Sequence, residues 1–108
     1  MLTHNQKIAF TSILIEMANV DLNIDARECD VVKHILARIG VDAETFAIAK
    51  EVPLVLALKV MSRASDDAKK MLAQNLVDVI DADGKVHQSE LHLLSQVCQK
   101  LGIDVLFG

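Results

Sequence analysis

Tryptophan and tyrosine are absent from this chain, and 108 residues hold only three phenylalanines, one proline and two cysteines. With so few aromatics, the core must come from Leu, Ile, Val, Ala and Met, a composition that favours helices over a strand-rich fold. The cysteines, Cys29 and Cys98, are too far apart for a metal-ligand spacing. Both fall on apolar helix faces, which predicts reduced core thiols. Long apolar runs are missing too. The uncharged stretch Ile8–Ile15 is eight residues and Val52–Leu58 is shorter, against the roughly 18 that a membrane span needs. No signal-peptide pattern opens the chain, so the expectation is a soluble, cytoplasmic protein without direct membrane insertion.

A concentrated basic face is also lacking. The net charge is −4 and the lysines and arginines come singly or in pairs, which argues against nucleic acid as a partner. No phosphate-binding glycine loop, Ser/His/Asp or Cys/His grouping, or pair of glutamate–histidine helices of the di-iron type stands out. His87 and His92 are five apart and do not sit side by side on a helix. Asp30 and His34, at i and i+4, suit a surface hydrogen bond. The sequence therefore predicts no enzyme.

What is present is helix chemistry, in one domain (residues 1–108) long enough to bury a core without disulfides. Thr3 and Gln6 have capping-box form and open a helix from about His4 to Val20, with Ala9, Phe10, Ile13, Leu14, Met17 and Ala18 along one face. Asp25 to Glu28 form a second box, followed by a stripe of Val31, Val32, Ile35, Leu36 and Ile39 and a stop at Gly40. Asp42 caps a short helix from Ala43 to about Glu51, and Pro53 starts another to about Met61. Ser65 caps a long helix to about Ala82, lined by Ala68, Met71, Leu72, Leu76, Val79 and Ile80. The last runs from Gln88 to Leu101 and stops at Gly102. The fold class is all-α, a compact bundle of about six helices.

Sliding the chain by 62 residues lays Glu16–Asp42 over Asp78–Asp104. Asp21 then matches Asp83, Ile24 matches Val86, Glu28 matches Glu90, and Gly40 matches Gly102. Two pseudo-symmetric helix–acidic loop–helix hairpins, about 4–42 and 66–104, thus flank the short central helices at about 43–61. The central segment "VPLVLALKVM" (Val52 to Met61) reads as a buried central helix, or else as an exposed face for a homodimer or another protein.

The acidic loops admit two accounts. Laid over a calcium loop with Gly84 at the turn, Asp81, Asp83 and Glu90 take ligand positions, but the first position falls on Val79, which has no oxygen. The first copy puts Met17 there, followed by Asn19, Asp21 and Glu28. Losing that ligand twice argues against a high-affinity calcium loop. Capping explains much of the motif: Asp83-Gly84 is a turn pair, His87 an N-cap, Glu90 the box acid, and Val86 can staple onto Leu91. Ile24 and Cys29 repeat the staple. The other account is a weak oxygen-rich site for Mg²⁺, Ca²⁺ or Mn²⁺, formed by Asp78, Asp81, Asp83 and Glu90, with Glu16, Asn19, Asp21 and Glu28 as its counterpart. Acids gathered at a helix C-terminus, where the dipole is negative, either repel or hold a cation.

The segments "DADGKVHQSELHLL" (Asp81 to Leu94) and "NVDLNIDARECDVV" (Asn19 to Val32) resemble the paired inter-helix motifs of the TerB-like family, named for a bacterial tellurite-resistance protein. The second departs from the pattern with Leu22 in place of the glycine. The resemblance implies a compact helical domain and a link to tellurite or metal stress. It also implies membrane-protein partners and divalent-cation binding at an acidic patch. Related domains accompany some co-chaperones. The expected function is a non-enzymatic interaction or sensing module with a protein partner, the alternative a plain helical scaffold or co-chaperone-type domain without a metal role.

Overall fold

A computed structural model of the chain describes residues 2–20, 26–82, 84 and 87–103. It contains α1 (His4–Asn19), α2 (Ala26–Ile39), α3 (Ala43–Ala49), α4 (Leu54–Ser62), α5 (Asp66–Asp81) and α6 (Gln88–Leu101), with no strand among the described residues. The Cα radius of gyration is 12.5 Å, close to the roughly 13 Å of a compact chain this long.

Local chemistry accounts for most helix boundaries. Gln6 N donates to Thr3 Oγ1 at 3.1 Å while Thr3 N donates to Gln6 Oε1 at 3.0 Å, completing the first capping box. Ala68 N donates to Ser65 Oγ at 3.1 Å at the start of α5. The two repeat copies end alike. Gly40, at φ +80°, lets Val41 N reach Leu36 O at 2.9 Å, and Gly102, at φ +69°, lets Ile103 N reach Cys98 O at 3.0 Å. Both are Schellman stops, which need the left-handed conformation that glycine takes without steric cost. The 62-residue repeat is thus visible in backbone geometry as well as in sequence.

At α3, Thr45 N donates to Asp42 Oδ1 at 2.8 Å. That backbone bond, with help from the Thr45 hydroxyl, holds the Asp42 carboxyl below its ordinary pKa. A carboxyl depressed in the folded state contributes stability that is present above its unfolded pKa and lost as the pH falls through the folded one. Asp42→Asn keeps a capping oxygen but not the charge. The urea midpoint of wild type should exceed that of Asp42→Asn at pH 6, and the two should converge in acid, at a pH lower than that at which an ordinary aspartate titrates. A gap that persists in acid would place the effect elsewhere.

The centre of the bundle is α1, which packs against all five other helices. Its residues 9–14 are buried without a break, including Thr11 and Ser12, so burial extends round the helix rather than along the single face expected. The polar pair is satisfied locally: the Thr11 hydroxyl donates to Lys7 O at 2.7 Å and the Ser12 hydroxyl to Val52 O at 2.9 Å. The second bond ties α1 to the residue before Pro53.

The segment Val52–Met61 is therefore not the buried centre. Within α4, Ala57, Leu58 and Met61 face inward, whereas Val55 is 68% and Leu56 52% exposed. α1 already fills the middle, so α4 lies on it with one side open. Smaller corrections follow from the same packing. Met71 is exposed, and Val31, Ile39 and Cys29 are only partly buried. Cys98 is buried as expected, and loss of solvent pushes its thiol pKa up, away from reactivity.

Candidate functional site

Two corners that match in sequence at the 62-residue offset, α1–α2 and α5–α6, carry the candidate site residues. The second is better described. Asp81 closes α5, Ala82 remains helical, and Gly84 turns the chain at φ +72° with its N–H donating to Asp81 O at 3.1 Å. His87 is the extended N-cap of α6, and its N–H donates to Glu90 Oε1 at 3.2 Å. The expected capping box between His87 and Glu90 is in place. Leu91, expected to staple onto Val86, is 37% exposed, and Val86 lies outside the described residues. So does Ile24, the expected staple to Cys29.

The candidate ligands divide by depth. Glu28 is 1% and Glu90 0% exposed, so both corners sink the matching glutamate into the bundle. Both are the third residue of their helices, where a glutamate turns back towards the N-cap. Neither sequence spacing nor composition signalled full burial, because a capping-box glutamate is ordinarily half in solvent. Glu16, Asn19 and Asp81 are exposed, and Asp78 is half-buried, accepting from Gln74 Nε2 at 3.2 Å. Asp21 and Asp83 lie outside the described residues. Neither α1 nor α5 carries a basic residue in its last turn, so nothing within these two helices offsets the negative ends that Glu16, Asp78 and Asp81 meet.

Met17 and Val79, which fall on the first ligand position of an overlaid calcium loop, are both 0% exposed and belong to the core. They cannot turn outward to a cation without opening it. The packing of α1 on α5 and of α2 on α5 brings the hairpins together. Among the described residues, however, no three His, Cys, Asp or Glu side chains converge as metal ligands do.

A second feature escaped the sequence reading. A groove of about 240 Å³ opens between α4 and α6, lined by Val55, Leu58, Lys59, Ser62 and Lys100. The α4 contribution was legible as Val55, Lys59 and Ser62 at i, i+4 and i+7, but Lys100 reaches it only through the α4–α6 contact. Ile48, 42% exposed on α3, adds another outward apolar side chain. Among the described residues, no helix is long and apolar enough to cross a membrane.

No family model and no curated protein matches the chain. Among solved structures, it is similar to a protein of unknown function from Porphyromonas gingivalis W83, with a TM-score of 0.81 at 18% identity over 98% of this chain and 89% of that one. Likeness at that identity shows a shared fold alone: this arrangement of helices also occurs in a bacterial protein of unknown function.

Proposed function

We propose that this chain is a non-catalytic helical interaction module of the TerB-like type, which holds a protein partner on the open side of α4. The observation that supports this is the outward turn of Val55 and Leu56, 68% and 52% exposed, on a helix with no acidic residue to keep it in water. Affinity purification of the full chain from its native host tests the reading, wild type against the double variant Val55→Asp/Leu56→Asp. Partners recovered with wild type should be lost from the variant, whose helical circular dichroism should be unchanged. An identical recovered set would overturn it.

A second reading, a weak divalent-cation response at the two acidic corners, is favoured by the acids in the last turns of α1 and α5, two helices that carry no basic residue there. It is the part of the module that would sense metal stress. Titration with Mg²⁺, Ca²⁺ or Mn²⁺, followed by amide NMR, should then give saturable changes confined to residues 16–28 and 78–90. Absence of saturation at millimolar metal removes this reading and leaves the interaction surface standing.

A further inference from the structure

We infer that the groove between α4 and α6 docks a short acidic, amphipathic segment of a protein partner, which presents an apolar anchor flanked by carboxylates. The inference rests on the interaction reading and names the chemistry of the partner. Size comes first. The groove holds about 240 Å³, below the roughly 300–1,000 Å³ of clefts that enclose small molecules and cofactors. It has room for an anchoring side chain, with Leu58 as floor and Val55 at the mouth.

Charge narrows the occupant further. Lys59 and Lys100 come from different helices to the same rim, and neither ammonium makes an ion pair among the described residues. The remaining polar lining group, the Ser62 hydroxyl, is turned onto its own helix, donating to Lys59 O at 2.6 Å. α4 has no acidic residue and α6 has only Glu90, ten positions before Lys100 and buried. That places it roughly 15 Å along the helix, beyond the ~10 Å over which salt leaves surface charges coupled. In a chain of net charge −4, this rim gathers two ammonium groups over an apolar floor, with no carboxylate among its described lining residues. Carboxylates beside an apolar anchor complement both features.

Other occupants fit less well. A second copy docked symmetrically on this face would set the lysine rim of one copy against that of the other, a like-charge juxtaposition that opposes association. An anionic membrane would gain only the attraction of two lysines near its surface, against the repulsion of the net negative chain.

The test uses the full chain and a synthetic peptide, acetyl-EDELLEDE-amide, in ¹⁵N NMR titrations. Saturable shifts should map to Val55, Leu58, Lys59, Ser62 and Lys100. Lys59→Glu/Lys100→Glu, both at exposed positions, should weaken binding at least about tenfold while leaving the rest of the spectrum in place. EDESSEDE, without the apolar anchor, and KKKLLKKK, with the charge reversed, should not saturate. Shifts elsewhere, unchanged affinity in the double variant, or equal binding of EDESSEDE would overturn the proposal. So would binding to phosphatidylserine vesicles through the same lysines without any response to the leucine peptide. If the groove proposal fails while Val55→Asp/Leu56→Asp still loses its partners, the interaction reading survives with a different contact chemistry.

Discussion

Phe10→Ala is expected to lower folding stability by about 3–5 kcal/mol, the range for emptying a fully buried aromatic site. Phe10 is 0% exposed in the middle of α1, the helix that packs on all the others. No single neighbour can close the resulting hole, because six consecutive residues of α1 are held in place by surrounding helices. A domain of this size has only about 5–15 kcal/mol in hand, so the variant should be partly unfolded near body temperature. Phe46→Ala provides the contrast. Its ring is partly buried and lies under Lys50 Nζ, 5.5 Å from the ring centroid, so its loss should be nearer 1 kcal/mol. Urea unfolding followed by far-UV circular dichroism reads both, since no tryptophan is present to report by fluorescence. A Phe10→Ala effect no larger than that of Phe46→Ala would show that α1 is not the centre.

The second large effect should come from the buried glutamates. Glu90→Ala is expected to lose about 2 kcal/mol, the upper end for removing a helix-capping bond, here the one that Glu90 accepts from the His87 N–H. His87 N–H, now donating to Glu90 Oε1 at 3.2 Å, would lose that acceptor at a half-buried position. Glu90→Gln keeps the shape and an acceptor oxygen, so its loss should be smaller, about 1 kcal/mol. Glu28→Ala should behave like Glu90→Ala, because the two residues hold equivalent places and are equally deep. Equal losses would show that both corners are pinned in the same way. A large loss at one and none at the other would mean that only the sequence, and not the physics, repeats. The same variants bear on the cation reading. Stabilisation of wild type by millimolar Mg²⁺ or Ca²⁺, absent from Glu90→Gln, would mean that this carboxylate can leave its cap for a metal.

Much of the fold is legible before any coordinates. Thr3 with Gln6, Asp42, Ser65, and the glycines at 40 and 102 place the helix ends within a residue or two, and each acts through bonds to near neighbours in the chain. The 62-residue offset pairs Gly40 with Gly102, and the Schellman bonds recur at both glycines. For the same reason the Glu90 cap was foreseen. Local sequence is enough wherever the determining contact spans only a turn or two.

Depth and adjacency are another matter. Both Phe10–Leu14 and Leu54–Leu58 are rich in apolar side chains, and nothing local says which helix others will surround. Only packing made α1 the centre and left Val55 and Leu56 outside. Packing also carried Glu28 and Glu90 from capping positions to full burial, and brought Lys100 of α6 beside Lys59 of α4, 41 residues earlier in the chain. The amino-acid sequence by itself determined the helices, their ends and their repetition, because those follow from backbone hydrogen bonds and capping groups a few residues apart. The tertiary structure decided which apolar stripe is covered, which carboxylates lose water and which cations share a groove, because each depends on competition among faces for one small interior.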